Sequence, residues 1–194
     1  MLIKHDFEVP LSVDKVWEFC QDIPQVASCL PGASLTDQVG PDQYEGNVAI
    51  RLGPVQMQFA GRADVMKRDE PSKTIVIDAS GADEKGRGQA ALGLTARLVP
   101  TASGTRVEVE QDLQLSGAAA QYGRGMISDF SAVMMRDFAT NMQVRIDAFD
   151  RGLSPDQIKG PKAAGGFSIA FQAAWMALKR VARRFFLPYQ PNRT

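Results

Sequence analysis

The sequence holds one histidine, His5, and two cysteines, Cys20 and Cys29, in 194 residues. A Ser-His-Asp triad or a multi-histidine metal centre would have to be built around that one imidazole. His5 stands between Lys4 and Asp6 on an opening strand and reads as a surface or edge residue. The two thiols, separated by eight residues, make no disulfide framework in a reducing compartment and read as small semi-buried side chains; no metal site is expected. A G-K-[ST] phosphate loop is missing. "GRGQAA" (Gly86 to Ala91) imitates a dinucleotide fingerprint, but a strand pattern follows it where a helix should open, so it reads as a hairpin turn. "SVDK" (Ser12 to Lys15) matches the S-x-x-K of acyl enzymes without the companion S-D-N and K-T-G, and helix capping accounts for Ser12. No catalytic residue is expected.

Acid is also lacking at one end. From Gln157 onward there are seven bases and no Asp or Glu, which leaves fifteen bases against twenty-two acids in residues 1–156. A net charge of zero therefore hides an acidic body and a basic tail. With the bases confined to the tail and not interleaved with aromatics on a sheet, nucleic-acid binding is not expected. The opening "MLIKHDFEVP" has acids within eight residues and no long apolar core, so it does not read as a secretory signal, and the protein is expected to face the cytoplasm.

What is present is periodicity. Leu2 to Val9 read as a strand. "PLSVDKVWEFCQDI" places Ser12 at an N-cap and Val13, Val16, Trp17 and Cys20 on one helical face, and "DIPQVASCLPGA" is a second short helix stopped at Pro31 and Gly32. In "VQMQFAGRADV" the alternation puts Val55, Met57, Phe59, Gly61, Ala63 and Val65 on one face of a half-buried strand. Runs around Val48–Leu52, Ile75–Ala79, Ala90–Leu98 and Val107–Leu115 repeat it, separated by hairpin-sized turn signals. From Ala118 the period becomes helical through Met126, Ile127, Phe130, Met134, Phe138, Met142, Ile146 and Phe149, recurring at three and four, a helix of about thirty residues ended by Gly152. So long an apolar stripe needs a surface, and the concave face of the sheet offers it. The expected fold is α+β: a curved antiparallel sheet wrapped around a long C-terminal helix, spanning residues 1–153.

Several phrases carry a resemblance: "VWEFCQDIPQVASCLPGA", "YEGNVAIRLGPVQMQFAG", "GTRVEVEQDLQLSG" and "AAAQYGRGMISDF". In this order the chain resembles the helix-grip proteins of the START/Bet v 1-like superfamily and, within it, the CoxG family of carbon monoxide dehydrogenase accessory proteins. The resemblance implies a space between sheet and long helix that holds an apolar ligand, and a molybdenum-containing hydroxylase of the CO dehydrogenase type as partner. It further implies a respiratory quinone, menaquinone or ubiquinone, as a bound and non-covalent guest. Candidate ligand-binding residues are Met57 and Phe59, Leu92 and Leu94 on the sheet, and Met126, Phe130, Met134 and Phe138 on the helix. The same stripe suits a packed core. Gly61, Gly88, Ala90, Gly93 and Ala96 favour empty volume, because small residues facing a helix leave space. Gln111, on an otherwise apolar face, would either hydrogen-bond a carbonyl of the guest or face an opening.

"SPDQIKGPKAAGG" (154–166) reads as a linker. Beyond it, 167–188 reads as a basic amphipathic helix, with Phe167, Phe171, Trp175, Leu178 and Phe185 on one face and Lys179, Arg180, Arg183 and Arg184 with Phe186 at its end. The uncharged run from Ala163 to Leu178 would reach about 24 Å as helix against a hydrocarbon core of roughly 30 Å, which falls short of a span. Binding in the interface of the cytoplasmic membrane surface fits better, and docking on its own domain or on a partner protein is the alternative. Two roles follow as expectations. One is a non-catalytic carrier that links the dehydrogenase to the membrane quinone pool from the inner face of the cell membrane. The other is a membrane recruitment adaptor with a packed core and no ligand.

Overall fold

The computed structural model describes residues 1–52 and 55–151; the expected linker at 154–166 and basic helix at 167–188 lie outside the described residues. Within them the elements are β1 (Leu2–Val9), α1 (Val13–Gln21), α2 (Ile23–Cys29), β2 (Ala33–Gly40), β3 (Gln43–Leu52), β4 (Val55–Asp69), β5 (Thr74–Asp83), β6 (Gln89–Thr101) and β7 (Gly104–Leu115). A short 3-10 turn over Gly117–Gln121 then leads into α3 (Arg124–Asp150). The strands form one sheet in the order β1-β7-β6-β5-β4-β3-β2, antiparallel at every pairing. Five of the six neighbour pairs join consecutive strands. The sixth, β1 with β7, brings the chain start beside the last strand and leaves α1 and α2 to connect the two sheet edges.

Local chemistry sets these elements. Period-two alternation turns one side of each long strand inward: Val107 and Val109 on β7 are buried while Glu108 and Glu110 face water. On α1, Val16, Trp17 and Phe19 are buried. Ser12 holds the N-cap position of α1 but makes no side-chain cap, whereas Asp22 caps α2 by accepting from the Gln25 N–H at 3.1 Å. Lys73, at the β4–β5 turn, lies 5.3 Å from the Trp17 ring and 3.1 Å from Asp14, fastening that hairpin to α1.

The main core gathers at the α1, α2 and β1 side: Val9, Val16, Trp17, Ile23, Val107 and Val109 pack with Met142 and Ile146 from the second half of α3. Phe7 and Phe138 meet edge to face there, with ring centroids 6.1 Å apart, a geometry that contributes about 0.5–1.5 kcal/mol beyond area burial. The helix lies nearest to β1 and α2. Ile127, Phe130 and Met134 in its first half face an open space over the sheet. A separate small cluster of Met57, Phe59 and Ala119 closes the far end.

Two expectations are corrected. β2 forms a strand that no alternation announces: it is exposed along most of its length and is ordered by pairing with β3, not by burying one face. The long helix begins at Arg124, not Ala118. Gly117 takes φ +66°, a Cβ there would collide with the Arg87 carbonyl, and the Ala118 N–H donates to that same carbonyl at 2.7 Å. This turn is tied to the β5–β6 hairpin and cannot continue the helix.

Candidate functional site

The register of the strands explains an open space beneath α3. Reading across β3 to β7, one inward row is Tyr44, Ala63, Ala79, Leu92 and Leu113, and the next is Gly46, Gly61, Gly81, Ala90 and Leu115. Larger rows bound them, Val48 and Phe59 on one side and Val65, Ile77 and Leu94 on the other. The floor is thus made of alanines and glycines at its centre. At Gly61 a Cβ would collide with the Ser80 carbonyl, so the strands approach closely there and only glycine fits. The roof is Ile127, Phe130, Ser131, Met134 and Met135 of α3, and Ala27, Leu30 and Leu35 close the side toward α2 and β2. The result is a cavity of about 350 Å³, within the range of roughly 300–1,000 Å³ common for small-molecule sites.

Of the candidate ligand residues, Phe59, Leu92, Gln111, Phe130 and Met134 line this cavity. Four do not. Met57 is 1% exposed and packs in the small end cluster. Leu94 sits one row beyond the floor and packs against the main core. Met126, in the first turn of α3, is 49% exposed, and Phe138 packs on Phe7. The helical misplacements share a cause: a stripe spaced strictly by four drifts about 40° per step, so its two ends leave the face that its middle occupies. Ile127, Phe130, Ser131, Met134 and Met135, related by steps of three and four, hold that face. Among the small residues, Gly61 and Ala90 line the cavity, but Gly93 falls between Leu92 and Leu94 and points to the opposite face of β6. Gly88 abuts Ser116 at a turn, and Ala96 lies beyond the cavity lining.

The polar groups at the cavity are few. Gln111 is 7% exposed and opposes Ile3 on β1. Its Oε1 accepts from the Ser131 hydroxyl at 2.8 Å, and the Ser131 Oγ lies 2.9 Å from His5 Nε2. Gln111 Nε2 faces the Met135 sulfur at 3.7 Å. His5 stands on the edge strand β1, as one of its two expected readings had it, and is half-buried there, not a surface residue. Alternation turns it inward between Ile3 and Phe7, and burial lowers its pKa, partly offset by Asp6. Tyr44 lines the cavity from the opposite side of the floor.

Beyond the cavity, Asp83 is almost fully buried at the end of β5. It accepts from Arg87 Nε at 2.7 Å and from the N–H groups of Gln58, Lys85 and Arg87, and Arg87 reaches the Gln56 carbonyl at 2.8 Å. These bonds hold its carboxyl well below the usual carboxylate range. The turn predicted at Asp83 to Gly86 is thus a clamp between two hairpins. Cys20 and Cys29 are free, and burial pushes both thiols up to about 12. Among the described residues no cluster of three or more His, Cys, Asp and Glu is placed to hold a metal, and no helix is long and apolar enough to cross a membrane.

The family model for the CoxG subunit of carbon monoxide dehydrogenase matches residues 6–147. No curated protein matches the sequence. Among solved structures, a conserved protein from Geobacillus kaustophilus is similar with a TM-score of 0.67 at 21% identity, covering 76% of this chain and 95% of that one. The Zhui aromatase/cyclase from a Streptomyces species is similar with a TM-score of 0.56 at 13% identity, covering 78% and 96% of the two chains. A START superfamily protein from Mycobacterium smegmatis is similar with a TM-score of 0.53 at 15% identity, covering 76% and 98%. These likenesses bear on the fold, and they place the seven-stranded sheet and long helix among the helix-grip proteins.

Proposed function

The chain belongs to the CoxG family of carbon monoxide dehydrogenase, and from that premise we propose that it is a carrier of an apolar ligand serving a molybdenum-containing hydroxylase of the CO dehydrogenase type. Its role is accessory and non-catalytic. The ligand is a respiratory quinone, menaquinone or ubiquinone, held without a covalent bond between the sheet and α3. The observation that carries this reading is the cavity floor: two adjacent rows with alanine and glycine at their centre, under a helix that leaves a cavity above them.

Phe59, Leu92, Phe130 and Met134 supply apolar contact in this reading, and methionine adapts to an irregular guest. Gln111 supplies a polar point. Met57, Leu94, Met126 and Phe138 keep the structural positions described above and contact no ligand. A packed-core adaptor would not need the empty floor.

Residues 167–188 bring the cavity to the membrane where such a ligand resides. Each buried Phe, Trp or Leu contributes about 1.5–3 kcal/mol at most, and each of Lys179, Arg180, Arg183 and Arg184 roughly 1 kcal/mol near anionic lipid. Residues 154–166 serve as the tether, raising the local concentration of the cavity at the bilayer. The acidic body is repelled by anionic lipid, which favours its standing off from the surface. Binding of ubiquinone or menaquinone analogues to the full-length protein, followed by tryptophan quenching and calorimetry, tests the reading; saturable one-to-one binding supports it, and its absence with a folded protein overturns it.

A further inference from the structure

The cavity carries one polar chain, running from β1 through α3 to β7. The Ser131 hydroxyl has a single proton, which it gives to Gln111 Oε1 at 2.8 Å, so at 2.9 Å it accepts the proton of His5 Nε2–H. The contact on the other side of the Gln111 amide sets which way it turns. On its other side stands the Met135 sulfur at 3.7 Å, which accepts weakly and donates nothing, so this contact favours the nitrogen there over the oxygen. One N–H of this nearly fully buried amide then has no partner among the described residues, at a side chain that lines the cavity. A buried donor left unpaired is costly, and that cost is relieved when a guest brings an acceptor.

We infer that His5 and Ser131 are positioning residues that fix the Gln111 amide as a donor, making this end of the cavity a subsite for the carbonyl oxygen of an otherwise apolar ligand. The inference rests on the carrier reading and adds the class of ligand atom the cavity selects. It assigns the imidazole a task other than acid–base chemistry: neutral, with its proton on Nε2, it commits the serine hydroxyl to the amide oxygen. Ser131 then commits the amide nitrogen to the guest.

Two probes of matched shape separate this subsite from the cavity as a whole, 2-acetylnaphthalene with a carbonyl and 2-ethylnaphthalene without one. With the full-length protein, the ratio of their dissociation constants is measured for wild type, Gln111→Leu, Ser131→Ala and Ser131→Thr. A hydrogen bond of ordinary net strength corresponds to a preference change of roughly three- to tenfold. Gln111→Leu is expected to reduce the preference for the ketone over 2-ethylnaphthalene by that factor. Ser131→Ala is expected to reduce it in the same direction and Ser131→Thr to restore it. The infrared carbonyl band of bound 2-acetylnaphthalene is expected to lie at lower frequency in wild type than in Gln111→Leu. An unchanged ratio and an unshifted band, with both probes still bound, overturn the subsite and leave the carrier reading standing. Failure of the folded wild-type protein to bind either probe overturns both.

Discussion

Ala79→Leu separates an empty cavity from a packed core by the sign of its effect. Ala79 stands in the middle of the floor, between Ala63 and Leu92 in its row, under the clear half of α3. The substitution adds three carbon atoms. At about 0.8 kcal/mol per buried methylene, full burial contributes about 2.4 kcal/mol. Fixing the leucine rotamer costs about 0.5–1 kcal/mol. The ligand-free protein should therefore become more stable, by about 1–2 kcal/mol, as read from the urea midpoint at an unchanged slope. Were this space filled by side chains, the same change would overpack it and cost about 1–3 kcal/mol. Binding of 2-ethylnaphthalene should weaken in the same variant, because the leucine occupies the volume the probe needs. A lowered urea midpoint with binding intact would mean that the floor is not empty and that the probe binds elsewhere.

Other outcomes follow from the same structure. Asp83 has a depressed pKa in the fold, so its contribution is fully present above the ordinary carboxylate pKa of about 4 and is lost as pH falls below it; Asp83→Asn should lower stability at pH 7 and flatten the fall in stability measured between about pH 4 and pH 2. Cys20 and Cys29, with thiols pushed up to about 12, should resist alkylation by iodoacetamide at about pH 8 until denaturant is added, as mass spectrometry would register; rapid labelling of the native protein would contradict their burial. Replacing Arg183 and Arg184 by Glu should weaken sedimentation with anionic liposomes most at low salt, because charge attraction is screened within about a Debye length. Ending the chain after Asp156 should abolish it, and persistent pelleting would remove the membrane role from residues 167–188.

Alternation makes most of the sheet legible in the sequence. Val55 to Val65 announce β4 and its inward face, and the helical period announces α3. What stays hidden depends on pairing. β2 buries no face, so nothing in its own residues marks it as a strand; its partner β3 does. The cavity is legible as a shortage of volume at Gly61 and Ala90. The register that aligns Gly46, Gly61 and Gly81 is a relation among three strands that no single run displays. On α3 the apolar stripe announces the face through Ile127, Phe130 and Met134, while its ends at Met126 and Phe138 turn away and Ser131 and Met135 complete the lining. His5 is legible as an edge residue, but its charged neighbours hide that its ring turns inward. Counting by two from Ile3 to Phe7 turns it inward, but its partner Ser131 lies 126 residues away on another element.

The decisive measurement is organic extraction and mass spectrometry of the full-length protein purified from its native host, beside its Ala79→Leu variant prepared identically. A quinone carried by the wild type and depleted from the variant is the predicted result, since both share the tail and differ only in the cavity. Equal quinone in both would mean carry-over from the membrane, and no quinone in either would contradict the carrier.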